Sequence, residues 1–126
     1  MHDQTSSDGG FTLIELLVVI IIIGILAAIA VPLYLAQREK AFRAGMLADL
    51  RETAIQLEGY FTDYESYPTS FAALGNPVRS SPGDVVTLVS SSAQAFCLSV
   101  TNPHVVEVRY YQSDGGGILP RGSSCS

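Results

Sequence analysis

The sequence predicts an α+β protein in which one long N-terminal helix, its apolar half protruding, packs through its second half on a small antiparallel sheet of three to four strands. Three observations carry this expectation. Of the 26 residues from Phe11 to Ala36, 22 are apolar, whereas the other 100 positions hold only 38 apolar residues in a chain of 126. A helical stripe continues beyond that run, and three short stretches with strand alternation follow it. The length leaves room for one small domain beside the apolar run, too little for a two-domain enzyme with an interdomain cleft. A formal charge of −5 and a pI near 4.7 lack the electrostatic footprint of a nucleic-acid binder, so no direct nucleic-acid partner is expected.

From Leu16 to Gln37 the chain carries no charge. Those 22 residues, at about 1.5 Å each, are long enough to cross a hydrocarbon core of roughly 30 Å. A permanent anchor, a cleaved secretory signal and a span that serves the membrane only temporarily all compete for this segment. Ala28-Ile29-Ala30 has the small-x-small form of a signal-peptidase site. Against that reading, the first fifteen residues contain Asp3, Asp8 and Glu15 with no Lys or Arg, and the apolar run continues through Val31, Leu33, Tyr34 and Leu35. Arg38, Lys40 and Arg43 stand beyond the run like a stop-transfer cluster, which the positive-inside rule would place in the cytoplasm. The only two cysteines, Cys97 and Cys125, lack CxxC spacing and read as one disulfide in an oxidising compartment; they outweigh the charge count.

Glu15 is the most informative residue of the segment. An ionised carboxylate within an apolar helix costs about 2 to 3 kcal/mol at the bilayer centre and less near its face, so such residues normally have a partner. Nothing in the same segment supplies one. Either Glu15 sits at headgroup level as the last polar residue before the span, or another molecule provides its partner.

Gly9-Gly10 followed by Phe11-Thr12-Leu13-Ile14-Glu15-Leu16-Leu17-Val18-Val19 resembles the class III signal and N-terminal helix of type IV pilins and pseudopilins. The match combines a glycine ending a short hydrophilic leader, an aromatic residue next, a glutamate four positions later, and an apolar run that starts after the cut. Gly24 and Pro32 fall where that family's helix has its breakers, and the resemblance extends into the loop from Asp63 to Gly75. It implies that a prepilin peptidase on the cytoplasmic side removes the leader, residues 1–10, by cutting between Gly10 and Phe11. The new amino group of Phe11 is then methylated, and the loss of Asp3 and Asp8 moves the charge from −5 to −3. It also implies that Thr12 and Glu15 serve assembly, the Glu15 carboxylate meeting the N-terminal amine of a neighbouring subunit. The expected partners are further copies of the chain in a helical filament, the inner (cytoplasmic) membrane, and a pilus assembly platform with its ATPase. The implied location is a single-pass cytoplasmic-membrane protein that becomes part of an extracellular surface filament. In one respect the sequence departs from the family, whose leaders usually carry Lys or Arg: here the leader is acidic.

Residues 11–37 form the expected apolar half of the helix and residues 38–126 a globular head. Phe42, Met46, Leu50, Ala54, Leu57 and Phe61 recur at spacings of three and four, with Arg43, Asp49, Arg51, Glu52 and Glu58 largely off that stripe. An unbroken helix from Phe11 to Phe61 would be about 75 Å long, so its latter half must pack on a soluble head. Within it, Pro32 removes a backbone hydrogen bond at about 3 kcal/mol and Gly24 adds up to about 1. The residues alone are consistent with a kink, which membranes tolerate; the resemblance implies local melting and stretching in the filament.

The αβ-loop, residues 63–84, is expected to contain a single helical turn capped by Ser70 and ended by Gly75. Strands are expected at Val85–Ser90, Ala95–Thr101 and Val105–Gln112. Alternation groups Phe96, Leu98 and Val100 on one face, and Val106, Val108 and Tyr110 on one face, both expected against the helix. Cys97 then points away from the helix, and a bond to Cys125 draws the tail from Asp114 back over the outer face or edge of the sheet. Closing about 29 residues contributes roughly 3 to 4 kcal/mol in the chain-entropy model. The resemblance implies a disulfide-bounded C-terminal region, 97–125, exposed on the filament, with Ile118 to Gly122 a variable contact surface.

No catalytic residue, metal or cofactor is expected. His104 stands beside Pro103 as a solvated loop histidine without a nucleophile partner, and Asp84 and Asp114 match no calcium-loop spacing. Tyr60, Tyr64, Tyr67, Tyr110 and Tyr111 are assigned mainly to core and loop packing. The functional expectation is a filament subunit of the type IV pilus kind. The alternatives are a pseudopilin of a type II secretion or competence machine and a monomeric membrane-anchored binding module.

Overall fold

A computed structural model describes residues 10–125. The leader, apart from Gly10, lies outside the described residues, as does Ser126. Helix α1 runs from Leu13 to Tyr64 and contains Gly24 and Pro32 without interruption. The chain divides into two compact units, one ending at Gln37 and one beginning at Arg38. In the first, the apolar side chains from Phe11 to Leu35 are exposed, and the helix is long and apolar enough to cross a membrane.

The second unit holds the rest of α1, a single-turn 3-10 helix at Phe71–Leu74, and strands β1 (Val85–Ser91), β2 (Phe96–Asn102), β3 (Val105–Gln112) and β4 (Gly117–Ile118). The four strands form one sheet in the order β1-β2-β3-β4, each neighbouring pair antiparallel, as short connections dictate. The expected turn between Ser70 and Gly75 is present. Its cap, however, is a backbone bond from Ala73 N–H to Ser70 O, and Gly75 ends it in the left-handed region with φ 75°. Met46, Leu50, Ala54 and Leu57 of α1 close on Phe96, Leu98, Val100 and Val105, with Phe42, Phe71, Leu74 and Tyr111 packed at the margin. Phe61, Tyr67, Phe96 and Tyr111 form a continuous aromatic row with centroid separations of 4.8, 4.8 and 5.8 Å. Tyr67 reaches both carboxylate oxygens of Glu58, and burial together with that carboxylate pushes its phenol up to about 12.

Two expectations are corrected. The face of β3 turned toward α1 carries Val105, Glu107, Arg109 and Tyr111, while Val106 is fully exposed and Val108 is exposed as well. Cross-strand partners share a face, and Leu98 pairs with Tyr111 and Val100 with Arg109, so the odd-numbered residues of β3 turn inward. Alternation defines two faces without naming the inner one. Here the inner one contains two charged residues whose ion pairs replace apolar contacts. The second correction is Asp49, which is buried within the stripe between Met46 and Leu50.

The burial of Asp49 has a physical cause. Its Oδ2 accepts the Ser81 N–H at 2.6 Å and its Oδ1 the Ser81 hydroxyl at 3.0 Å. Beside it, the buried Asp84 accepts a bond from Asn102 Nδ2 at 2.6 Å, and Asn102 Oδ1 accepts the His104 N–H at 2.8 Å. The group ties α1 to the loop end and the β2–β3 turn. Gly83 is required there: its φ is 85°, and a Cβ would lie 3.1 Å from Asn102 Nδ2. Burial, reinforced by contact with the Asp49 carboxylate, pushes the Asp84 carboxyl up to about 6 against the lowering effect of Asn102.

A raised folded-state pKa means that the stability from the Asp84 proton is complete below about pH 4 and lost as pH rises through about 6. Asp84→Asn keeps a donor for Asp49 without the charge. The variant is expected to gain roughly 1 to 3 kcal/mol at neutral pH and nothing at pH 4, read from urea unfolding of the full chain in detergent.

Candidate processing and assembly site

The N-terminal residues from Gly10 to Glu15 combine an exposed start outside regular structure with a tightly specified helix entry. Phe11 is 85% exposed and precedes the helix, so the Gly10–Phe11 peptide bond lies outside regular structure. The first helical backbone bond runs from Leu16 N–H to Thr12 O at 3.2 Å. Thr12 and Glu15 then form a reciprocal capping box: Glu15 N–H donates to Thr12 Oγ1 at 3.1 Å, and Thr12 N–H donates to Glu15 Oε2 at 3.3 Å. Two backbone donors that the helix itself leaves unpaired are thereby satisfied.

This box changes the reading of Glu15. The segment does supply a partner for the carboxylate, a neutral one three residues earlier. The positive end of the helix dipole also favours an anion in the first turn. Neither partner cancels the charge, and a single accepted bond leaves most of the carboxylate's acceptor capacity free for an external cation. The Thr-x-x-Glu spacing was the sequence signal for the box.

The other expected site residues lie apart from this entry. Gly24 and Pro32 are within α1, and a Cβ at Gly24 would meet nothing within 4 Å, so no close contact in the single chain requires glycine there. Cys97 and Cys125 are joined by a disulfide with Cα atoms 6.3 Å apart. Cys97 points away from α1 and is buried beneath the returning tail. That tail covers both places it was expected to reach: Gly117–Ile118 pair with β3 at the sheet edge, and Cys125 lies over the outer face near Tyr111 O. His104 is exposed on the β2–β3 turn and stacks on Phe42 with centroids 4.5 Å apart. No group of three His, Cys, Asp or Glu side chains among the described residues is arranged to hold a metal ion.

Residues 5–31 match the prokaryotic N-terminal methylation motif, which spans the glycine pair, the capping box and most of the apolar run. The chain is 43% identical over 91 residues to the type IV wide pilus major component PilA4 of Thermus thermophilus, a match covering 71% of this chain and 70% of that protein. It is 34% identical over 113 residues to the type II secretion system core protein G of Klebsiella michiganensis, covering 89% of this chain and 64% of that one. With core protein G of Dickeya chrysanthemi the identity is 40% over 70 residues, covering 56% of this chain and 46% of that one. The chain thus spans about half to two thirds of the length of those secretion proteins. It belongs to the type IV pilin and pseudopilin family.

Thr12→Ala removes one arm of the box and is expected to destabilise the first turn by about 1 kcal/mol. Amide exchange of Glu15 and Leu16 in micelles should then quicken by roughly fivefold while that of Leu50 to Leu57 is unchanged; equal protection in both proteins would contradict the capping role.

Proposed function

We propose that this chain is a structural subunit of a type IV pilus-like surface filament, not an enzyme, and that it assembles through residues 11–37 after cleavage between Gly10 and Phe11. The observation that carries the proposal is a capped helix entry, directly after that bond, leading into an apolar stretch that remains exposed through Leu35. Exposed apolar area on this scale requires another medium. Lipid provides it first and the helices of neighbouring subunits afterwards. Before assembly the chain is a single-pass cytoplasmic-membrane protein whose leader is removed by a prepilin peptidase on the cytoplasmic side. The freed amine of Phe11 is then methylated.

Cleavage creates the cation that the segment lacks. The Phe11 ammonium of one subunit meets the Glu15 carboxylate of another, and the pairing is available only at one axial stagger, so it favours assembly and helps to set register. An assembly platform and its ATPase supply the work of extraction from lipid. Gly24 and Pro32, within an unbroken helix in the single chain, mark where the helix melts and lengthens in the polymer. The disulfide-bounded region, 97–125, lies on the outside, with Ile118 to Gly122 as a contact surface.

A second reading has its own support. The match to a type II secretion core protein G extends over 89% of this chain, which favours a pseudopilin building a shorter fibre by the same chemistry.

Mass analysis of sheared surface fibres tests the first reading. The expected subunit begins at a methylated Phe11. Subunits beginning at Val31 or at Met1 would overturn the assembly route, and a processed chain found only in the cell envelope would select the pseudopilin.

A further inference from the structure

Seven basic residues are present in a chain of net negative charge, and five of them belong to one neighbourhood of the second unit. Arg38, Lys40 and Arg43 lie on α1 within six residues after Gln37. Arg109 and Arg121 reach Arg43 through the sheet and the tail. Oε1 of Glu107 lies 3.3 Å from Arg43 Nε, 3.7 Å from Arg121 Nε and 3.9 Å from Arg109 Nη1. Glu39 accepts Arg43 Nη2 at 2.7 Å. Five cations against these two carboxylates leave a net charge of +3, whereas the remaining residues from Phe11 onward carry −6.

The cations are poorly satisfied. Three guanidiniums share one oxygen of Glu107, and that oxygen, Arg43 Nε and Arg109 Nε are buried without a hydrogen bond. Arg109 does donate to Leu119 O at 3.1 Å, which holds the tail in place. Arg121 is mostly exposed, and the Arg38 guanidinium lies 5.4 Å from the centre of the Phe42 ring. The buried Nε groups are shut off from solvent, but the exposed Arg38 and Arg121 guanidiniums keep donors free for an oxyanion, above all for phosphate, whose geometry they match.

We propose that Arg38, Lys40, Arg43 and Arg121 form a docking surface for the anionic phosphodiester headgroups of the bilayer in which the subunit waits before assembly. The choice of partner follows from chain continuity. Arg38 is the first charged residue after the 22 uncharged ones that fill the hydrocarbon core, so it emerges where lipid phosphates are densest. The inference rests on the reading that residues 16–37 occupy lipid before assembly. Docking holds the second unit against the leaflet, and extraction into a filament must break it.

The chain contains no tryptophan, so His104→Trp, stacked on Phe42 beside Arg38, introduces a single indole that can be excited at the red edge, apart from the six tyrosines. The full chain is reconstituted into vesicles of phosphatidylcholine, or of phosphatidylcholine with phosphatidylglycerol, each carrying a dansylated headgroup lipid. Energy transfer from the introduced indole is expected to be higher in the anionic vesicles, with the difference lost at high salt. Arg38→Gln and Arg121→Gln should each lower the docked-to-undocked ratio by roughly fivefold, and Arg→Lys at the same positions should retain most of it.

Equal transfer in both vesicle types overturns the proposal. Transfer that ignores lipid composition but falls with inorganic phosphate at matched ionic strength overturns it in favour of a free anion. Transfer that depends only on protein density overturns it in favour of a second copy. Flotation with the vesicles separates the two levels: a chain that does not float contradicts the membrane reading, whereas one that floats with composition-blind transfer contradicts the docking surface alone.

Discussion

One carboxylate, placed at the threshold of an uncharged stretch, constrains everything that this chain does at its N-terminus. Glu15 cannot enter lipid cheaply, and the chain meets part of that difficulty with its own backbone: the Thr12 N–H bond and the dipole of the first turn hold the charge at the helix entry. A neutral donor orients the carboxylate without neutralising it. In the proposed assembly the remaining demand is met from outside, by a cation that a neighbouring copy would possess only after the Gly10–Phe11 bond is cut. On that proposal, cleavage, charge pairing and axial register are coupled through a single side chain.

The unit beginning at Arg38 is stabilised by its own core and ties. Its core is small, eight buried side chains from one helix face and two strands, and a domain of this size needs further ties. The disulfide closes the C-terminal tail onto the sheet, and the Asp49–Ser81 and Asp84–Asn102 bonds fasten the long loop to α1. The same tail carries Arg121 to the charged neighbourhood around Glu107, so closing the tail also builds a basic surface in an otherwise acidic protein.

Much of this was legible in the sequence where a local pattern and a global demand coincide. The apolar run, the stripe from Phe42 to Phe61, the inward face of β2 and the Cys97–Cys125 bond each follow from spacing or from residue type. Alternation alone favours the wrong face of β3, because Val106 and Val108 suit an interior better than Glu107 and Arg109 do. What reverses that preference is a set of ion pairs with Arg43 and Arg121, residues distant in sequence. Asp49 and Asp84 were invisible as buried groups for the same reason, their partners being 32 and 18 residues away. The capping box is a different case: Thr12 and Glu15 stand at the spacing that defines it, a local signal that needs no distant partner.

Glu15 takes part in assembly, on this reading, through its charge and not merely through its place at the helix entry. Glu15→Gln separates the two, since glutamine can still accept the Thr12 N–H in a capping box but offers no charge to an incoming amine. Co-expression with the unaltered chain, followed by mass analysis of sheared fibres and of membranes, measures how each form partitions. The glutamine form is expected to be processed to Phe11 and retained in the membrane, with its share of the fibres reduced by roughly tenfold, the equivalent of about 1.4 kcal/mol of lost pairing. Incorporation into fibres in proportion to its abundance in the membrane would contradict a role for the charge.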